Sequence, residues 1–101
     1  SSAASDVYKR QTVNRPQDAD IDLYYKIKTT DGQNYRKLNY DYVSRPLGYD
    51  NPDLPGSWSE WEYDIENLEE FSSFGIKVVL RSKNSATVPK VKDLRIVALA
   101  S

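Results

Sequence analysis

Apolar and polar residues alternate in two long segments of the chain. In residues 20–28 every second position is apolar, and residues 74–81 repeat this pattern. A period of two predicts a β-strand that buries one of its faces. The side chains expected to face the interior are Ile21, Leu23, Tyr25 and Ile27 in the first segment and Phe74, Ile76, Val78 and Leu80 in the second.

Three further segments are predicted to be strands from less regular patterns. Residues 7–13 alternate weakly, whereas residues 61–65 alternate apolar residues with acidic ones. The acidic residues that alternate with the apolar residues of 61–65 are Glu60, Glu62 and Asp64. The tail, residues 91–100, is apolar on both faces, with Leu94, Ile96 and Ala98 on one and Val97 and Leu99 on the other. Because a strand with two apolar faces is covered on both, the tail is expected to lie centrally in a sheet.

Turn-forming residues separate these segments at intervals of about ten residues. Asp31-Gly32 predicts a tight hairpin from the first strand into residues 35–43, because glycine tolerates the positive φ of such a turn. Leu68, Phe71 and Phe74 have helical spacing, which predicts at most one helical turn near residues 66–71. The expected fold is all-β, an antiparallel β-sandwich of jelly-roll type with about six to eight short strands.

Composition limits the size and the chemistry of the chain. Of its 101 residues, 39% are hydrophobic and 29% charged, so we expect one folded core in residues 6–101 after a flexible leader of residues 1–5. The sequence contains neither cysteine nor histidine, which excludes disulfides, thiolate zinc sites and catalysis by thiol or imidazole. The glycines are isolated, so no nucleotide cofactor is expected. No apolar run approaches the ~20 residues of a membrane helix, and no membrane insertion is expected.

Charge is distributed unevenly along the chain. Residues 41–70 contain nine acidic residues and one basic residue, a net charge of −8, whereas residues 71–101 contain six basic and one acidic, a net charge of +5. Two interpretations are open. Acidic and basic faces lie side by side in a mixed, solvated surface, or they are complementary patches that orient subunits in an assembly. The overall net charge of −1 argues against general nucleic-acid binding.

Carboxylates are the first candidates for chemistry. A pair of carboxylates can hydrolyse a glycosidic bond, but the acidic residues at 60, 62 and 64 alternate along a strand and form an exposed face. Without apolar walls to raise the pKa of one of them, no general acid results, and we predict that the chain is not an enzyme. The loop at residues 50–53 offers oxygen ligands for Ca²⁺, although the same residues form ordinary turns.

Aromatic residues give the best indication of a binding surface. Sugar rings stack on indole and phenol rings, while neighbouring polar side chains bind the hydroxyls. Tyr24 is on the polar side of its strand and Trp58 follows Pro55-Gly56, so both are expected to be exposed. The candidate contacts for a glycan or a protein partner are Tyr24, Trp58, Tyr49, Asp50 and Asp53.

Residues 19–28, with the sequence ADIDLYYKIK, and residues 68–80 and 84–99 are similar to a known family. The most specific part is the ending, in which an apolar strand and a Ser/Asn-rich turn precede Val88-Pro89 and an Asp-Leu-Arg strand. These stretches resemble the C-terminal domains of structural virion proteins of tailed bacteriophages. In T-even-like and cyanobacterial myoviruses such domains belong to baseplate wedge or tail-fibre components, and the resemblance covers roughly residues 6–100.

The resemblance implies a non-enzymatic structural or assembly domain that is made in the host cytoplasm and located in the tail or baseplate of the virion. Its partners would be other virion proteins of the same particle. The alternative is a carbohydrate-binding module that recognises host-surface glycans. Tyr24 and Trp58 distinguish the two functions, because exposure of both side by side favours glycan binding, whereas burial of both favours assembly.

Overall fold

Six β-strands and one short 3-10 helix form the fold in the computed structural model, which describes residues 5–29 and 32–100. The strands are β1 (Ser5–Asn14), β2 (Ala19–Lys28), β3 (Asp41–Val43), β4 (Ser59–Leu68), β5 (Ser73–Ser82) and β6 (Lys90–Ala100). The 3-10 helix is Tyr35–Lys37. No helix within the described ranges has the length and apolar character needed to cross a membrane.

The strands pair into two three-stranded antiparallel sheets. Sheet A has the order β4-β1-β6, and sheet B has the order β3-β2-β5. The two sheets enclose a common core, to which both contribute every second residue of a strand. The predicted all-β, sandwich-like architecture of antiparallel strands is therefore confirmed.

The core confirms the inner faces predicted for β2 and β4. Alternate side chains of β4 are buried, and the acidic residues between them are exposed. On the predicted inner face of β2, Ile21 and Leu23 are buried, and Tyr25 and Ile27 are half-buried against the core. Strand β1, which had the weakest pattern, is the central strand of sheet A. The buried apolar side chains of the three strands are Val7, Val13, Ala19, Ile21, Leu23, Trp61, Tyr63, Ile65 and Leu68.

The edge strands define two sides of the sandwich. Val43 of β3 lines the same groove as Tyr63 and Ile65 of β4, so β3 and β4 lie at one side. Val78 of β5 and Val91 of β6 pack against the core from the opposite side. We refer to these as the β3–β4 side and the β5–β6 side.

The prediction that the tail strand lies centrally is wrong. Within the described residues β6 pairs with β1 alone, which makes β6 an edge strand of sheet A. Leu94, Ile96 and Val97 are exposed, so the apolar residues on its two faces do not indicate burial between layers.

The expected hairpin differs from the structure, whereas the prediction of at most one helical turn near residues 66–71 is consistent with it. Residues 66–68 belong to β4 and residues 69–71 are not helical, so no helical turn occurs there. In the segment predicted as a hairpin strand, residues 35–37 form the 3-10 helix and only β3 pairs with β2. The Asp31 turn and residues 1–4 of the predicted leader lie outside the described residues, and Ser5 begins β1.

Candidate functional site

The β5–β6 side leaves inner-face side chains uncovered. Ile96 lies directly opposite the buried Lys9, and Leu80 lies directly opposite the buried Ile21. Directly opposed residues of an antiparallel pair share a face, so Ile96 and Leu80 both belong to the inner faces of their sheets. Yet Leu80 is 46% exposed and Ile96 is 41% exposed. The sandwich is therefore open along this side.

A β-bulge shapes the same edge. The pairs Arg10–Arg95 and Thr12–Lys92 enclose one residue of β1 but two residues of β6. Asp93, within this extra length, has a φ of 52°, which lies in the left-handed region. The exposed large apolar residues of β5 and β6 are Leu80, Leu94, Ile96 and Val97, which we call the apolar margin.

The outer face of sheet A carries opposite charges at its two edges. The exposed acidic residues of β4 are Glu60, Glu62, Asp64 and Glu66, and the exposed basic residues of β6 are Lys90, Lys92 and Arg95. Strand β1 separates the two rows, so they are not side by side. Arg10 of β1 pairs with Glu60, and that hydrogen bond raises the pKa of Arg10. Glu62 has a side-chain hydrogen bond with Tyr8, and Lys92 lies over the Trp58 ring. The two charged rows lie at opposite edges of one sheet.

Trp58 borders a hollow of about 320 Å³ at the end of sheet A. Its side chain is 42% exposed, and the ammonium group of Lys92 lies 4.0 Å from the centre of its ring. The hollow is lined by Asn14, Pro16, Pro55, Gly56, Trp58, Ala86, Thr87, Val88 and Lys90. The Asn14 amide donates to the carbonyl oxygens of Leu54 (3.0 Å) and Ser57 (2.6 Å), which fixes the turn before Trp58.

The outer face of sheet B is organised around Asp22, which is 3% exposed. Its carboxylate accepts hydrogen bonds from Arg45 Nε (2.9 Å), Arg81 Nη2 (2.9 Å) and the Tyr42 hydroxyl (3.1 Å). The pKa of Asp22 is lowered, mainly by the hydrogen bond from Arg45 and further by those from Tyr42 and Arg81. Burial acts in the opposite direction but does not outweigh them. The network joins β2, β3, β5 and the loop that follows β3, and it stiffens this face.

Tyr24 and Trp58 are not brought together. Tyr24 lies on the outer face of sheet B, where its ring contacts Tyr42 edge-on at 5.4 Å and the Lys77 ammonium at 5.0 Å. Trp58 flanks the outer face of sheet A through Lys92, whose opposite residue on β1 is Thr12. The two aromatic residues therefore lie on opposite faces of the sandwich and form no common platform.

In the loop that follows β3, the candidate contact residue Tyr49 is packed into the core. Tyr49 is 5% exposed, and the guanidinium groups of Arg15 and Arg45 lie 4.3 and 4.2 Å from its ring centre. Its hydroxyl donates to Asp20 (3.0 Å) and accepts from the backbone N–H of Ile21 (3.1 Å). Tyr49 thus anchors the loop to β2, and its ring is not accessible to a glycan.

The two candidate acidic residues of that loop differ. Asp53 accepts hydrogen bonds from the Arg15 backbone N–H (2.9 Å) and the Ser59 hydroxyl, so its carboxylate already has protein donors. Asp50 is exposed. Residues 5–29 and 32–100 contain no group of three or more acidic residues placed to hold a metal ion.

Sequence reasoning missed a polar group inside the core. Lys9 and Gln11 are both 0% exposed, and the Lys9 ammonium donates to the Gln11 side-chain oxygen at 2.7 Å and lies 5.2 Å from the ring centre of Tyr63. Burial lowers the pKa of Lys9 to about 8. Their position between Val7 and Val13 at every second residue was the signal that could have placed them inside.

Comparison with known proteins adds no relative. No family model matches this chain, and neither the curated proteins nor the solved structures contain a match.

Proposed function

We propose that this chain is a non-enzymatic assembly domain of a phage virion protein, of the baseplate or tail-fibre type, that binds neighbouring virion proteins through a rigid surface. The observation that carries the proposal is the apolar margin, where the inner-face residues Leu80 and Ile96 remain in solvent. Uncovered apolar side chains at a free sheet edge are typical of a protein–protein contact.

The apolar margin suits assembly because its residues sit on paired strands. Ile96 and Val97 lie on β6, which pairs with β1 along most of its length, and Leu80 lies on β5, which pairs with β2. Docking against such residues orders little additional chain, so little conformational entropy is lost. The basic row of β6 lies beside the margin and would orient an acidic partner.

The resemblance supports the virion context. Residues 68–80 and 84–99, which carry much of the likeness to phage structural proteins, include most of β5 and nearly all of β6. Two of the three stretches that resemble virion proteins thus contain the strands of the open side.

Location in the particle is the first test. Mass spectrometry of purified particles of the virus that encodes the chain should detect it, and immunogold labelling should place it at the baseplate or tail fibres. Its absence from purified particles would overturn the proposal.

Photo-cross-linking tests the surface itself. A photoreactive residue at Val97 in the full chain should capture a virion protein within assembled particles. The same substitution at Lys37, which is exposed on the 3-10 helix over sheet B, is the matched control. Capture from Lys37 and not from Val97 would contradict the assignment of the apolar margin as the docking surface.

The hollow beside Trp58 favours a second candidate, recognition of a host-surface glycan. A half-exposed indole next to Asn14, Thr87 and Lys90 offers a stacking surface with polar groups at its border. A glycan array with the wild type, Trp58→Ala and Trp58→Phe tests it, with Tyr42→Ala as a control on the opposite face. A wild-type signal that Trp58→Ala loses and Trp58→Phe retains in part supports glycan binding, and no wild-type signal rules it out.

A further inference from the structure

We infer that a second copy of this chain docks against the apolar margin, so that the β5–β6 side of one copy meets the β3–β4 side of the next. This inference rests on the proposed assembly function and names the partner. The docked copies continue sheet A, with β6 of one copy beside β4 of its neighbour.

Charge is the first argument for a second copy. The free edge of β6 presents Lys90 and Arg95, and the free edge of β4 presents Asp64 and Glu66, and no ion pair is found for these four residues within the described part of the chain. Each copy therefore carries both halves of an electrostatic contact at opposite edges of one sheet.

Strand direction allows the two charged rows to run alongside each other. Both β4 and β6 are antiparallel to β1, so they run in the same direction. A copy shifted sideways along the sheet consequently sets β4 parallel to β6. Basic residues occupy positions 90–95 at the start of β6 and acidic residues occupy 60–66 at the start of β4, spans of about 16 and about 20 Å at 3.3 Å per residue. Thr12 of β1 lies opposite both Glu60 and Lys92, and Arg10 lies opposite both Glu62 and Arg95, so these acidic and basic residues are at the same levels of the two edges. Asp64 is level with Val97, and a displacement of the neighbour by about two residues along the strands brings Arg95 beside Asp64.

An apolar group complements the apolar margin on the β3–β4 side. Leu47 is fully exposed and lines a shallow hollow with Trp61 and the acidic edge of β4. Placed against a neighbour, Leu47 faces the side that bears Leu80 and Ile96. Both charged and apolar groups therefore find partners in the same arrangement.

The Asp93 bulge limits backbone pairing between copies. It interrupts the free edge of β6 in the middle of the basic row, and bulges hinder edge-to-edge ladders. Side-chain charges and apolar contact, rather than a continuous hydrogen-bonded ladder, would therefore set the register. Because the two surfaces are different, the contact is heterologous and builds a ring or a filament.

Charge reversal tests the arrangement. One variant carries Lys90→Glu and Arg95→Glu, a second carries Asp64→Lys and Glu66→Lys, and both are compared with Arg36→Glu plus Lys37→Glu on the 3-10 helix. Sedimentation velocity over a concentration series at low salt measures association, and thermal unfolding shows that each variant is folded.

The wild type should form a concentration-dependent series of oligomers, and each edge variant should associate at least ~tenfold more weakly. An equimolar mixture of the two edge variants should recover association, because each acidic edge then meets a basic one. The 3-10 helix control should behave as the wild type. Raising NaCl from about 50 to about 500 mM should weaken the wild-type contact.

Three results would overturn the inference. A wild type that stays monomeric rules out self-docking, while the particle test separately decides the proposed function. Association that survives Asp64→Lys plus Glu66→Lys identifies a symmetric β6–β6 dimer instead. A mixture that fails to recover association shows that the two edges do not meet each other.

Discussion

The central strands β1 and β2 hold equivalent places in their sheets but are built from different residues. The inner face of β2 buries Ala19, Ile21 and Leu23, whereas the inner face of β1 buries Lys9 and Gln11 at its middle. Both are central because each has a hydrogen-bonded neighbour at either edge. Apolar content alone therefore does not identify the central strand of a sheet.

The buried polar groups of the two strands find their hydrogen-bond partners on different faces of the sheets. On β2 the buried polar residues Asp22 and Lys26 lie on the outer face and are covered by residues 35–45. On β1 the buried Lys9 lies on the inner face, where Gln11 is its hydrogen-bond acceptor. The outer-face network should therefore contribute more to stability than the inner polar group, because it offers the charge more partners.

The largest effect is expected from removing the carboxylate of Asp22. Asp22→Ala leaves Arg45 and Arg81 without their shared acceptor and should lower the free energy of unfolding by about 2–4 kcal/mol. The lower part of the range applies if water reaches both guanidinium groups, which are partly exposed. Urea unfolding measures the change, with Asp64→Ala on β4 as a control that should cost less than ~0.5 kcal/mol.

The same network predicts acid sensitivity. Because the pKa of Asp22 is lowered from its usual 3.8, its stabilisation is fully present above that pH and is lost as the pH falls through the folded-state value. The difference in stability between the wild type and Asp22→Ala should therefore shrink below pH 3.8. A difference that is constant from neutral to strongly acidic pH would contradict the role of the charge.

Removing the buried charge of β1 should have the opposite sign. Lys9→Met replaces a desolvated ammonium with an apolar side chain of similar length and should raise the free energy of unfolding by about 1–2 kcal/mol at neutral pH. The gain is limited because Gln11 loses the donor to its side-chain oxygen. Lys77→Met, an exposed lysine of β5, is the control and should change stability by less than ~0.5 kcal/mol. A Lys9→Met protein less stable than the wild type would show that the polar contact outweighs desolvation.

Lys9 gives the stability a pH dependence on the alkaline side, whereas Asp22 of β2 gives one in acid. The pKa of Lys9 is lowered from 10.5 to about 8, so between these values the unfolded chain binds more protons than the folded one and stability rises with pH. The increase should amount to about 1.4 kcal/mol per pH unit at most between pH 8 and 9.5. Lys9→Met should abolish it. The pH range ends at 9.5 because a second group affects stability above it. Burial raises the pKa of Tyr63, so stability falls once this tyrosine ionises in the unfolded chain but not in the folded one.

The cover over β2 depends on a glycine in the neighbouring strand. Gly75 lies directly opposite Lys26, and a Cβ at this position would overlap the hydroxyl group of Tyr35 and lie 3.2 Å from its Cζ. Gly75→Ala should therefore cost about 1–2 kcal/mol, since Tyr35 must move off Lys26. Combining it with Tyr35→Phe should recover part of the loss in a double-mutant cycle. Strict additivity would show that the two residues do not collide.

Strong alternation made β2, β4 and much of β5 predictable. Strand β1 gave a weak pattern because Lys9 and Gln11 occupy inner positions, and their burial depends on neighbours that are distant in sequence. The apolar residues of β6 suggested a central strand, yet with three strands per sheet nothing in the described chain covers Ile96. A local pattern reports which residues avoid water, not whether this chain or a partner covers them.

The candidate site was predictable to a smaller degree. Tyr24 lies on the predicted outer face of β2 but is half-buried rather than exposed, whereas Trp58 is exposed as predicted. The separation of the two residues depends on the assignment of β2 and β6 to different sheets. Tyr49 was among the aromatic residues predicted to contact a glycan or a protein partner. Its burial follows from Arg15 and Arg45, which stack on its ring from sites far apart in the sequence.

The smallest expected effect tests the irregular pairing that β1, unlike β2, makes with its neighbour. Asp93 of β6 has a φ of 52°, a conformation that glycine adopts without strain, so Asp93→Gly should stabilise the fold by about 0.5–1 kcal/mol. Arg95→Gly, two residues along the same strand, should instead cost about 0.5–1 kcal/mol because glycine gains freedom in the unfolded chain. Urea unfolding of both variants measures the contrast. Equal destabilisation by the two glycines would mean that the Asp93 side chain holds the bulge. Loss of that side chain would then let β6 pair more regularly with β1, as β5 pairs with β2.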